Sequence, residues 1–232
     1  MISKSLEPWS LGRLLPLLIF ITLPTVYAAS KARPWTPRSI ETYPSRLTIE
    51  GVTIAADPLI LDALAGQVFN HPAIVSGGIL PVAIIISNAN DFLIEVDGGA
   101  AELIIGEKHI RAVDPKQAVH RLFYESRSGL PFPKPIPTDR TTVKQMKEAL
   151  QDFSNKFLSI KRVEPHATAG GFIYLLQDVG VRRNLASAKL YMPKIYRRDN
   201  GAEMMFFEID LKAAIDAAPK KEGQSHRTGI GF

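Results

Sequence analysis

The chain has 232 residues, of which 46% are hydrophobic and 22% charged, with a formal net charge of +5 and no cysteine. That composition supplies a packed core and excludes global disorder. The absence of cysteine excludes disulfide frameworks, thiolate metal sites, cysteine nucleophiles and a cysteine-linked lipid anchor. A basic excess this small and this dispersed leaves no footprint for nucleic acid.

Residues 1–28 have the layout of a secretory signal peptide. Lys4 and Arg13 flank the start of an apolar segment, Leu14 to Leu23, and Val26-Tyr27-Ala28 places small or β-branched residues before a cut between Ala28 and Ala29. The apolar run is short for a membrane span, so an uncleaved anchor is disfavoured and no transmembrane span is expected after processing. Export without cysteines points to a bacterial envelope, with the mature protein in the periplasm or outside the cell.

Residues 29–46 carry Pro34, Pro37 and Pro44 and are expected to form an extended leader. Leu47, Ile49, Val52 and Ile54 alternate with a slip at Gly51, which predicts one strand with a bulge. Asp57-Pro58 suits a helix cap and first position for a short helix over Leu59 to Ala65. Between Gly77 and Ile105, three β-rich runs are divided by Ser87 to Asp91 and by Asp97-Gly98-Gly99. They predict successive antiparallel strands, Val82 to Ile86, Phe92 to Val96 and Ala100 to Ile105.

Asp114-Pro115 opens a helix with Ala118, Val119, Leu122 and Phe123 on one face. Gly129 to Pro137 holds four alternate prolines and predicts an extended arm. Thr142 to Gln145 is a capping-box pattern for a second helix with Val143, Met146, Leu150, Phe153 and Phe157 on its apolar face. Residues 114–158 thus form a helical insertion within residues 47–211. Strands return at Phe172 to Leu176 and Ala186 to Met192, and Asp199-Asn200-Gly201 predicts a hairpin joining Ile195-Tyr196 to Met204 through Ile209. Residues 212–232 read as a mobile tail.

Three stretches together resemble a group of uncharacterised exported bacterial proteins: Gly78-Ile79-Leu80-Pro81-Val82 leading to Asn88, Gly171-Phe172-Ile173-Tyr174, and Phe206-Phe207-Glu208-Ile209. Those proteins carry "LPV…N", "GF-aromatic" and "FFEI" strands. The resemblance covers roughly residues 47–211. It implies a mainly β, antiparallel immunoglobulin-like sandwich and export, and it implies no activity or functional residue.

No nucleophile motif or phosphate-cradling loop is present, and no cofactor is expected. The histidines His71, His109, His120, His166 and His226 are too scattered for a ligand motif. Glu95, Asp97 and Glu102 sit on strand rims, where carboxylates are ordinarily solvated, so nothing promotes them to a catalytic pair. Lys189, Tyr191, Lys194, Tyr196, Arg197 and Arg198 interleave cations and aromatics around the hairpin, a pattern that suits an anionic envelope surface by charge and stacking. The ordinary reading of such a pattern is an edge hairpin protected by charge. Phe132 and Ile136 alternate with prolines in a pre-ordered arm, which either covers the core or docks a protein. The residues therefore point to a non-catalytic module that binds a protein or a surface. The alternative is a hydrolase-type envelope enzyme whose site is assembled from scattered residues.

Overall fold

A computed structural model describes residues 34–124 and 139–219. The signal pattern, the proline arm with Phe132 and Ile136, His226 and the tail beyond residue 219 lie outside the described residues. Residues 212–217, expected as the start of a mobile tail, are instead a helix whose Ala214 is buried and donates its N–H to the Ser45 hydroxyl at 3.0 Å. The chain divides into Met1–Lys31 and Ala32–Phe232, and everything described belongs to the second unit.

The chain is mainly β with every paired strand antiparallel. In chain order the strands are β1 (Arg46–Ile49), β2 (Val52–Pro58), β3 (Ile79–Asn88), β4 (Ile94–Asp97), β5 (Glu102–Ile105), β6 (Lys108–Val113), β7 (Ile160–Val163), β8 (Thr168–Leu176), β9 (Lys189–Met192), β10 (Ile195–Arg197) and β11 (Phe207–Asp210). Among the described residues five α-helices accompany them: α1 (Asp62–Val68), α2 (Pro115–Tyr124), α3 (Arg140–Lys156), α4 (Val179–Asn184) and α5 (Lys212–Ala217). Eight strands make one sheet in the order β1-β2-β3-β8-β6-β5-β9-β11, and β10-β4-β7 make a second. The long sheet curls until β1 and β11 approach each other across an unpaired seam, giving a nearly closed barrel. It departs from the expected immunoglobulin-like sandwich in this respect: the strands run on in one sheet instead of dividing into two facing ones.

Period-two alternation builds two cores from the same strands. Val52, Ile54 and Ala56 of β2, Leu80 to Ile86 at even positions of β3, and Ile173 and Leu175 of β8 fill the barrel with Leu103, Leu190, Met192, Phe207 and Ile209. One end is closed by Ile94, Val96, Val163 and Ile195 from the small sheet, and the other by Val181, Leu185 and Leu211. The intervening residues, Ala55, Ile79, Ala83, Ile85, Phe172 and Tyr174, face outward and are covered by Phe69, Val119, Leu122 and Phe153 from the α1–α3 layer. The 114–158 helices therefore lie against the barrel's side. An apolar interior with a partly charged exterior is the reverse of a lipid-facing barrel. No helix among the described residues is long and apolar enough to cross a membrane.

Several local expectations are corrected. The predicted bulge at Gly51 is a hairpin turn between β1 and β2, because Glu50 and Gly51 both hold positive φ, 49° and 77°. Asp57-Pro58 ends β2 instead of capping a helix, and α1 begins later, at Asp62. The second insertion helix is capped by Asp139, whose carboxylate accepts from the Thr142 N–H at 2.8 Å, and not by Thr142. Those bonds hold the Asp139 carboxyl below its ordinary range. Strands β6 and β7 have no counterpart among the expected elements.

Asn88, the polar end of the "LPV…N" run, is 1% exposed. Its side-chain amide donates to the Phe92, Val163 and Glu164 carbonyls at 2.8, 3.2 and 3.2 Å, and its oxygen accepts from the Asn90 N–H at 3.1 Å. One side chain thereby ties the end of β3 to the strands of the small sheet, a structural role for that motif.

Candidate binding face

The helices cover one side of the barrel and leave the outer face of β5, β6, β9 and β11 open. Register places Glu208, Tyr191, Glu102 and Arg111 in one row across that face, with Asp210, Lys189, Ile104 and His109 in the next. Lys189 donates to Glu208 at 2.5 Å. That bond and the carboxylate's charge raise the lysine's pKa. Glu102 accepts from His109 at 2.9 Å and Arg111 at 3.0 Å, which hold its carboxyl below the ordinary range, the histidine contributing most.

The predicted cation–aromatic cluster is divided between two sheets. Lys189 and Tyr191 lie on the barrel, while Tyr196 and Arg197 belong to β10, whose register sets Tyr196 opposite Glu95. Arg197 forms a fork with Asp199 at 2.7 and 3.2 Å and stacks 3.8 Å over the Phe92 ring. The hydrogen bonds of this fork raise the Arg197 pKa and lower that of Asp199. Arg198 reaches Glu95 at 3.8 Å, a carboxylate already held by Arg162 at 3.1 Å. Lys194 is exposed. Lys189 and Arg197 each have a carboxylate of their own, and Arg198 shares one with Arg162, so the cluster's charge is partly compensated. The anionic-surface expectation rested on that charge and is weakened by the pairing.

What the face does offer is apolar. Met205 is 56% exposed and Phe206 48%, and the Phe206 ring lies 5.3 Å from that of Tyr191. The segment carrying them begins at Glu203, which bridges to Tyr196, and enters β11 at Phe207. It therefore connects the two halves of the predicted cluster. Sequence reasoning placed Met204 through Ile209 in one strand, which hides the outward pair. The signal available was the double Met-Met and Phe-Phe: on a strand with one buried face, one member of each must point out.

A separate cleft of about 580 Å³ lies under residues 34–44 on the helix-covered side. Trp35 packs edge-on to Phe172 at 4.7 Å and is admitted because Gly170 has no Cβ, which would stand 3.0 Å from the indole. Tyr43 is buried, its hydroxyl accepts from the Arg38 N–H at 3.1 Å, and the Arg38 guanidinium lies 4.8 Å over its ring and 3.6 Å from Asp57. Burial pushes the Asp57 carboxyl above its usual range, and Arg38 offsets this only in part.

Asp57 thus sets a pH dependence whose sign is fixed. With a folded pKa above the unfolded one, the folded chain binds more protons between the two values, so this residue's contribution to stability is lost as pH rises through that window. Asp57→Asn is expected to shift Tm more favourably, relative to the parent, at pH 7 than at pH 3. Thermal unfolding at both values checks it, and a pH-independent difference would refute the assignment.

Among the described residues no group of three or more histidine or acidic side chains can hold a metal. His109 pairs with Glu102, His166 with Asp91 at 2.8 Å, and His120 stacks on Tyr124 at 4.7 Å. Glu95 and Glu102 serve ion pairs, and Asp97 accepts from the Gly99 N–H at 3.0 Å in a turn.

No family model matches the chain, and no curated protein does. Three solved structures show weak likeness. The yjhA protein from Bacillus subtilis is 6% identical with a TM-score of 0.33, covering 65% of this chain and 78% of its own. The ycdA protein from Bacillus subtilis subsp. subtilis str. 168 is 11% identical with a TM-score of 0.35, covering 71% of this chain and 38% of its own. A functionally unknown protein from Listeria monocytogenes EGD-e is 12% identical with a TM-score of 0.31, covering 64% and 70%. Likeness at this level carries no argument about fold or activity.

Proposed function

We propose that the protein is a non-catalytic exported module that binds a protein partner, with Tyr191, Met205 and Phe206 at the centre of the contact. The observation that carries this reading is the open apolar ground beside a hairpin where Lys189 and Arg197 each have a carboxylate of their own. Exposed aromatic and methionine side chains rimmed by charge are the composition of a protein contact, where such residues supply most of the binding energy. Export enters the proposal from the pattern of residues 1–28 and from the resemblance to exported bacterial proteins with immunoglobulin-like strands. The enzyme alternative has one support, the perturbed Asp57, which stands opposite Arg38.

The double change Met205→Ser, Phe206→Ser removes exposed groups, so stability is expected to stay within about 0.5 kcal/mol of the parent. Affinity for a partner captured by the parent protein is expected to fall by at least about tenfold. Exchanging Lys189 and Glu208 keeps their pairing and is expected to leave binding unchanged. Undiminished capture by the double variant would overturn the assignment.

A further inference from the structure

At the end of the barrel closed by Val181, Leu185 and Leu211 lies a cavity of about 350 Å³, formed where α1, the 75–76 loop, α4, the turn after it and α5 meet. Its apolar wall includes Ile60, Val75, Leu185 and Ile215. Its polar groups are unevenly matched. The Asp62 carboxylate accepts from the Val75 and Ser76 backbone N–H groups at 2.8 and 3.0 Å, so its charge is engaged by the loop. Arg182 is exposed and donates to the Val75 carbonyl at 2.9 Å, a neutral acceptor. Arg183 also lines the cavity, is exposed, and has no acidic partner among the described residues. Two guanidinium groups therefore border an apolar hollow whose single carboxylate is already bound by amides.

We propose that this cavity binds a small free carboxylate with an apolar tail, the carboxylate on Arg183 and the tail against Leu185 and Ile215. A guanidinium matches a carboxylate in a two-bond fork, which gives the head group its orientation. The apolar wall supplies burial for the tail, and the volume is at the low end for small-molecule sites, which favours a short ligand. A cationic ligand would meet two like charges against the single carboxylate of Asp62, whose oxygens already accept from backbone amides. This site is distinct from the Tyr191–Phe206 face and stands or falls without it.

Octanoate, octanol and octylammonium, titrated separately into the whole protein by calorimetry, give the test. Octanoate is expected to bind saturably with one site, octanol at least about tenfold more weakly, and octylammonium not at all. Arg183→Glu is expected to weaken octanoate about tenfold or more, and Arg183→Lys less. Ala186→Trp, placed at the exposed lining residue Ala186, fills the hollow and should abolish binding without altering the free protein's Tm. No octanoate binding, equal binding of octanol, or octanoate binding that both Arg183→Glu and Ala186→Trp leave at the parent level would each overturn the proposal.

Discussion

Phe153→Ala is expected to lower the unfolding free energy by about 3–5 kcal/mol, the range for truncating a fully buried aromatic. Phe153 is 0% exposed and carries α3 into the outer core. Its ring lies 4.7 Å from Tyr174 and 5.0 Å from Phe69, and its backbone carbonyl accepts from the Tyr174 hydroxyl at 2.8 Å. Burial raises the Tyr174 phenol well above its ordinary range, with the Asp152 charge adding to it, so the hydroxyl stays a donor. The cavity left by alanine is held open by the sheet on one side and α1 on the other, which limits collapse. Urea denaturation reads the loss directly; a change below about 1 kcal/mol would show that α3 is not anchored through this ring.

Lys156→Met is the second change with a large expected effect. Lys156 forms an ion pair with Asp152 at the end of α3, their side chains 8% and 2% exposed, and its ammonium lies 5.3 Å from the centre of the Phe69 ring. Asp152 also accepts from the Asn70 N–H at 3.1 Å, which ties α3 to the segment after α1. Removing the lysine strands a buried carboxylate, at about 3–5 kcal/mol. The pair Asp152→Asn, Lys156→Met removes both charges while asparagine keeps an acceptor for Asn70, and most of the loss should be recovered. Equal losses in the single and double variants would show that charge burial is not what the lysine offsets.

The strands with one buried face were legible because alternation writes that face into the sequence. Ala188, Leu190 and Met192 read as the inward side of the strand expected over Ala186 to Met192, and all three are buried, although β9 itself begins at Lys189. β3 reads as a continuous apolar run because both its faces are covered, one by the barrel interior and one by helices. Which sheet a strand joins was not legible: Ile94 and Val96 look like barrel residues, yet β4 pairs with β7 and β10. β6 escaped because Lys108, His109 and Arg111 dominate its composition, leaving Ile110 and Ala112 as a faint inward signal. The turn at Glu50 escaped because glutamate is an unusual occupant of positive φ.

For the candidate face, the interleaving of cations with Tyr191 and Tyr196 was visible, and its neutralisation was not. Lys189 is paired with Glu208, and Arg198 reaches Glu95, which Arg162 also holds, partners that only the fold brings within reach. The cavity beside Arg183 left no trace either, since four separate stretches of chain build it. Asp57 was noticed as a helix cap; its actual position on a covered strand is what perturbs its carboxyl.

The long ladder between β3 and β8 also sets a tempo. It joins residue 79 to 176 at one end and 87 to 168 at the other, so the barrel's central pairing is among the least local in the chain. Chain entropy for closing that loop is lost before any of its bonds form, whereas the β1–β2 and β5–β6 hairpins and the turns of α2 and α3 need only neighbours. Assembly is therefore paced by the meeting of these two strands. Until they meet, Ile84, Ile85 and Ile86 remain uncovered, which makes the interval before closure the period in which this sequence is most open to self-association.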